Sequence, residues 1–265
     1  MSYAMRIMSA FTGNRPAQYG LEKMAKLSLG LMGIGTGAGV WGSGERAAII
    51  EAISGAASPP CFFDVGANKG QFLGLLRNIL GDRPVSIHCF EPSKTAFDAL
   101  RVSCPNDPRV SFNRLALGAT RGEATLHADE AGSGMASLSK RRLEYRSISF
   151  AHQEQVPITT LDDYCHTHSV RQIDLLKLDV EGHEMQVLQG AREMLRTRAI
   201  HVVAFEFGGC NIDTKTFFQD FYYLFDELGM NIYRISPSGY PVPVKRYREI
   251  YEQFRTTNFF AKRVA

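Results

Sequence analysis

The chain has 265 residues, a net charge of +3, 45% apolar residues and 22% charged residues. That length suits one α/β domain with an added segment, and the balance excludes a disordered chain. So weak an overall field also argues against a nucleic-acid partner, which calls for a dense basic face. The local cluster Lys140-Arg141-Arg142 reads as a solvated loop, or as a grip on an anionic acceptor.

Residues 1–58 read as a helical extension and 59–265 as the main domain. Tyr19, Met24, Leu27 and Leu31 recur at helical spacing, predicting a helix over 17–31 and then a loop over 33–44. The stretch 27–40 is apolar and Gly-rich, but shorter than the about 20 residues that span a bilayer, so no transmembrane segment is expected. It reads as a helix end and loop packed on the domain, with contact to a membrane surface as the other reading. Ala48, Ile49, Ala52 and Ile53 mark the apolar side of a second helix over 45–54, and Ser58-Pro59-Pro60 breaks the chain.

Cys61-Phe62-Phe63-Asp64-Val65 is a short apolar run, as expected of a strand covered on both faces. Strands over 85–90, 110–113, 173–178 and 200–207 follow, with helices over 71–80, 94–104 and 182–197. Such alternation predicts a parallel sheet with helices on both faces. Two weaker strands, 123–128 and 155–160, bracket a polar loop over 129–152 of a length typical of lids. A helix over 217–228 and strands over 231–235 and 258–262 close one sheet edge. The five cysteines are scattered with no C-x-x-C pair, which points to a reducing, cytoplasmic setting without disulfides or a zinc site.

Four constellations carry chemistry. In Asp64-Val65-Gly66-Ala67-Asn68-Lys69-Gly70, two glycines let a strand turn sharply into a helix N-terminus, where N–H groups face a ligand. The pattern is not G-x-G-x-x-G, which disfavours a nicotinamide dinucleotide and a dehydrogenase. An acid before the glycines suits a ligand bearing an ammonium and a sulfonium, although an ordinary turn would read the same way. Glu91, in Phe90-Glu91-Pro92-Ser93 at the end of the next strand, is placed to accept ribose hydroxyls or to cap the following helix. Asp179, Glu181, His183 and Glu184 crowd the end of the fourth main strand. Glu206 ends the strand after it, in a run so apolar that a carboxylate needs a partner. Asp179 and Glu206 are therefore expected to converge on a substrate hydroxyl, on His183, or on a divalent cation such as Mg.

These segments resemble the FkbM family of methyltransferases. The resemblance is carried by Asp64 to Gly70, Phe90-Glu91-Pro92, Leu115-Ala116-Leu117-Gly118, Val156-Pro157-Ile158-Thr159-Thr160-Leu161-Asp162-Asp163 and Lys177-Leu178-Asp179-Val180-Glu181-Gly182-His183-Glu184. It implies a class I Rossmann-like sheet of seven strands, the last antiparallel, and S-adenosylmethionine as methyl donor. It places Gly66, Ala67, Asn68 and Gly70 around the methionine part, with Asp64 and Asp179 nearby. It places Glu91, flanked by Pro92 and Ser93, on the ribose, and Arg114-Leu115-Ala116 beside the adenine. The loop at Gly132-Ser133-Gly134-Met135-Ala136-Ser137-Leu138 only partly matches the family's serine-rich turn.

The expected reaction is O-methylation of a sugar, glycan or other hydroxylated product, with anionic and lipid-linked acceptors and a homo-oligomeric state left open. His183 is the candidate base, because imidazole changes charge near neutral pH. Asp179 and Glu206 are candidates to orient it or to hold the metal. An N-methyltransferase and a non-catalytic cofactor-binding module are the rivals. The strand end Asp179-Val180-Glu181-Gly182 lacks the Pro-Pro-aromatic run that commonly holds an amine.

Overall fold

The computed structural model describes residues 9, 11–37, 39, 42–56 and 59–263. Residues 1–8 of the expected extension, positions 38, 40 and 41 of its loop, and Ser58 lie outside the described residues. In chain order come helices α1 (Arg15–Leu31) and α2 (Arg46–Gly55), strand β1 (Cys61–Val65), α3 (Gln71–Leu80), β2 (Ser86–Phe90), α4 (Lys94–Ser103) and β3 (Val110–Asn113). Next are β4 (Ala116–Leu117), β5 (Gly122–Ala128), β6 (His152–Thr159), α5 (Leu161–Thr167), β7 (Ile173–Leu178), α6 (Glu184–Gln189) and α7 (Arg192–Arg196). The chain ends with β8 (Ile200–Phe207), α8 (Cys210–Thr214), α9 (Phe218–Glu227), β9 (Met230–Ile235), β10 (Pro241–Pro243) and β11 (Thr257–Arg263).

The main sheet has the order β10-β9-β11-β8-β7-β1-β2-β3. Strands β3, β2, β1, β7 and β8 run parallel, and β11 enters antiparallel between β8 and β9. These are the seven expected strands with the last reversed. An eighth, β10, hairpins onto the outer edge of β9. Its two prolines fit an edge, where a missing N–H breaks no ladder.

Alternation along the strands explains the layering. Phe62, Leu175, Val202 and Ala204 face one side, with α2 and α3 packed over them. Phe63, Leu176, Val203 and Phe205 face the other, under α6 and α9. Helix α2 packs into the main core, with Ala48, Ile49 and Ala52 buried. Helix α1 differs, since none of its residues is buried.

One expected element is divided. The helix over 182–197 becomes α6 and α7, with Gly190 capping α6 where it packs too closely on the Gly118 carbonyl for a side chain. The segment between β3 and β7 forms its own three-stranded sheet, β4-β6-β5, beside the carboxyl ends of the parallel strands. No described helix is long and apolar enough to cross a membrane.

Candidate functional site

Two adjoining clefts open where β1, β2, β7 and β8 end. The first encloses about 660 Å³ including its open side, and the second about 1600 Å³. Gly66, Asn68, Gly134, Asp179 and Glu181 line both.

The first cleft is built on the turn after β1. Gly66 has φ +83°, and a Cβ there would overlap the Asp179 carbonyl oxygen. Only glycine lets β1 and β7 close at this point. The Gly66 and Ala67 N–H groups both donate to the Phe90 carbonyl, each at 2.9 Å. These donors tie the turn to β2. Asn68 N–H donates to Glu91 Oε2 and Ser93 N–H to Glu91 Oε1, both at 2.9 Å. Glu91 is therefore fixed at the cleft wall with lone pairs to spare. Burial pushes its carboxyl up to about 7, although the two N–H donors oppose the shift. Asn68 Oδ1 is buried without a hydrogen-bond partner. Leu115, Ala116, Leu117 and Leu126 make the opposite wall apolar.

The loop over 129–152 roofs this cleft. Ser137 exchanges backbone hydrogen bonds with His127, and its Oγ donates to the Glu181 carbonyl at 2.8 Å. Ser139 Oγ lies 2.9 Å from His183 Nε2, and burial lowers His183 to about 4. The imidazole is neutral at physiological pH.

The second cleft holds the acids. Asp179 stands at the junction, and Glu206 lines the second cleft only. Burial, then the charges of Asp179, Glu181 and Glu184, raises Glu206 well above the carboxylate range. Lys177 Nζ sits 3.2 Å from Asp179 Oδ2 and 3.3 Å from Asp64 Oδ1. Burial opposes its charge, but Asp64 and Asp179 outweigh that and hold the ammonium firmly protonated. Glu181 has φ +52° and binds Arg141 Nη1 at 2.5 Å. Arg141 also faces Asp213 at 3.7 Å.

The family model for the methyltransferase FkbM domain matches residues 64–232. The chain belongs to that family. A protein of Sinorhizobium fredii named 2-O-methyltransferase NoeI is 29% identical over 153 residues, 54% of this chain and 62% of its own. Methyltransferase 1 of Beauveria bassiana is 26% identical over 142 residues, 48% of this chain and 56% of its own. The chain therefore spans less than two thirds of these curated relatives. The crystal structure of a methyltransferase FkbM from Methylobacillus flagellatus KT has 14% identity and a TM-score of 0.45. It covers 76% of this chain and 43% of that one.

Within this FkbM domain, several expected site residues fall elsewhere. Asp64 is fully buried behind Lys177 and lines neither cleft. Gly70, at φ +93°, packs against Ser103 and Leu100 of α4. Ser93 contributes only its N–H, and Arg114 points to solvent. Ala67 lines the second cleft, while Pro92, Leu115 and Ala116 line the first. Glu184 is a brace: its Oε1 accepts from Val180 and Gly182 N–H groups. His183 shares the first cleft with Asp179, its imidazole pairs with Ser139 Oγ, and Glu206 lines the second cleft instead. Among the described residues no group of three or more His, Cys, Asp or Glu is placed to hold a metal. The expected cation at Asp179 and Glu206 gains no support from the geometry.

Sequence reading gives no site role to Lys177 or Ser139 and does not join Glu181 to Arg141 and Asp213. A lysine inside Leu175-Leu176-Lys177-Leu178 was itself a signal, since a buried ammonium needs an acid beside it. The 139–142 loop offers no periodicity; Lys140 and Arg142 are exposed, while Arg141 lines the second cleft and is tied to Glu181 and Asp213.

Proposed function

We propose that this chain is an S-adenosylmethionine-dependent O-methyltransferase acting on a hydroxyl of a glycan or similar hydroxylated acceptor. The observation that carries this is Glu91, fixed by two backbone N–H groups at the wall of a cleft that shares Asp179 with the adjoining cleft of Glu206. The first cleft fits the donor. Glu91 offers acceptors for two ribose hydroxyls, the unpartnered Asn68 Oδ1 offers one for an ammonium, and Leu115, Ala116, Leu117 and Leu126 offer an apolar wall for a purine. When bound, that donor supplies an electrophilic methyl group on a sulfonium.

The chain's own residues then have three tasks. Gly66 and Asp179 shape the junction through which acceptor and donor meet, where reacting atoms must approach to about 3 to 3.5 Å. Asp179 takes the hydroxyl proton, held in place by Lys177. Glu206, whose carboxyl burial and the neighbouring acids push well above the carboxylate range, faces the acceptor as a hydrogen-bond donor. The neutral His183, with Ser139, fixes the roof of the donor cleft. The relative named 2-O-methyltransferase NoeI supports oxygen as the methylated atom.

Calorimetry with S-adenosylmethionine, followed by labelled-methyl transfer to glycan and amine panels, tests the reading. Saturable binding and label in base-stable methyl ethers are expected. No saturable binding, or label only on amines, would overturn it.

A further inference from the structure

Helix α1 is a 17-residue helix with none of its residues buried, and every residue from 21 to 28 is exposed. At 3.6 residues per turn, Ala17, Leu21, Met24, Leu27 and Leu31 fall within an arc of about 120°. Leu27 and Leu31 are 64% and 72% exposed, and Met24 58%. Arg15, Lys23 and Lys26 lie outside this stripe, against the single acid Glu22. A helix of this length is marginal in water without packing, and Gly20 and Gly30 weaken it further.

The root of α1 is firm. Ile34 is buried, a Cβ on Gly33 would run into the Ile235 carbonyl, and the Gly35 and Gly37 N–H groups both donate to the Thr256 carbonyl at 3.0 Å. Gly35 and Gly37 also line the second cleft, together with the exposed Arg146 and Arg255. The helix and the cleft thus share one wall, and both carry cations outward.

We infer that α1 is an in-plane membrane anchor that docks the domain on an anionic lipid surface with the second cleft close to the headgroups. The stripe supplies the apolar face that such helices sink into the headgroup boundary, and the lysines supply attraction to anionic lipid. Charge decides between occupants. A second copy of α1 would bring three more cations and only one more acid to the pair, whereas an anionic headgroup layer neutralises them. The helix lies on the surface and does not span it, because its window is neither long nor apolar enough. This inference stands apart from the proposed reaction.

The test is sedimentation of the full chain with vesicles of phosphatidylcholine alone and of phosphatidylcholine with phosphatidylglycerol. Binding to the anionic vesicles only is expected, weakening as salt rises. The pair Lys23→Gln and Lys26→Gln should weaken it by about fivefold per lysine. The pair Leu27→Ser and Leu31→Ser should weaken it by more than about tenfold. All four positions are exposed, so the melting temperature should stay at the parent value. Absence of binding to anionic vesicles, or full binding by the serine pair, would overturn the inference. So would a dimer in sedimentation velocity that the serine pair dissolves while vesicles bind nothing, which would make the stripe an interface between copies.

Discussion

Lys177 Nζ lies 3.3 Å from Asp64 Oδ1, and both side chains are withdrawn from water at the base of the clefts. The pair joins β1 to β7 across register partners, Asp64 opposite Lys177. Burial pushes the Asp64 carboxyl up, and the ammonium is what draws it back. Replacing Lys177 by Met should therefore cost roughly 3–5 kcal/mol, the penalty of a buried charge left alone. Adding Asp64→Asn should recover much of it. Urea unfolding of the two variants checks this. A Lys177→Met protein as stable as the parent would show that Asp64 is held by something else.

Gly66→Ala should be damaging out of proportion to one methyl group. The residue has φ +83°, and the new Cβ meets the Asp179 carbonyl, which belongs to rigid backbone. The expected result is a loss of cofactor affinity together with a lower melting temperature, since the β1–β7 junction must spread. Unchanged affinity would mean that the junction does not shape the donor cleft.

Glu91 gives cofactor binding a pH dependence. Its carboxyl is raised from 4.5 to about 7 in the free protein. A raised carboxyl destabilises the fold as pH climbs from 4.5 to 7, because the native state holds a proton that the unfolded state has lost. Ribose hydroxyls donate to the ionised form, so binding should release a proton near neutrality and tighten as pH rises through 7. Calorimetry in buffers of different ionisation enthalpy reads that proton directly. Identical heats across buffers, or a Glu91→Gln variant that binds as tightly, would remove Glu91 from the ribose.

The strand-end chemistry was readable from sequence because it is local. Asp64 to Gly70, Glu91, Asp179 and Glu206 each end an apolar run, and parallel sheets bring such ends together. What sequence could not supply was direction across the chain. Asp64 sits next to the glycines, yet its side chain alternates away from the cleft toward Lys177, a partner 113 positions on. His183 follows Asp179 closely, but the turn at Glu181, φ +52°, swings it toward Ser139. Helix α2 was recognised as a helix, but its place in the core depends on the sheet face it covers.

His183 should act on stability in acid and not on the catalytic pH profile. Burial holds the native imidazole at about 4, against 6.5 when unfolded. Between those values the unfolded chain binds the extra proton, so stability falls as pH drops through that window. The difference in unfolding free energy between the parent and His183→Gln should shrink as pH goes from 6.5 to 4. Parallel curves would contradict a buried neutral imidazole. In turnover, the limb between pH 5 and 8 should be the same for both proteins. Loss of a limb in His183→Gln would return His183 to the role of base.

Asp179 and Glu206 can be told apart by two isosteric substitutions. Burial and the neighbouring acids push the Glu206 carboxyl well above the carboxylate range, favouring its neutral form, so Gln reproduces that form's shape and its donor. Glu206→Gln should keep turnover within a few-fold at pH 7, with the effect seen mainly in acceptor KM. Asp179 must accept a proton, which Asn cannot do. Asp179→Asn should lower kcat by about 10²–10⁴, the usual worth of a positioned base, and leave donor affinity close to the parent value. The reverse ranking, with Glu206→Gln inactive and Asp179→Asn active, would move the proton to Glu206. Turnover should then climb as pH rises, since that raised carboxyl would first have to ionise.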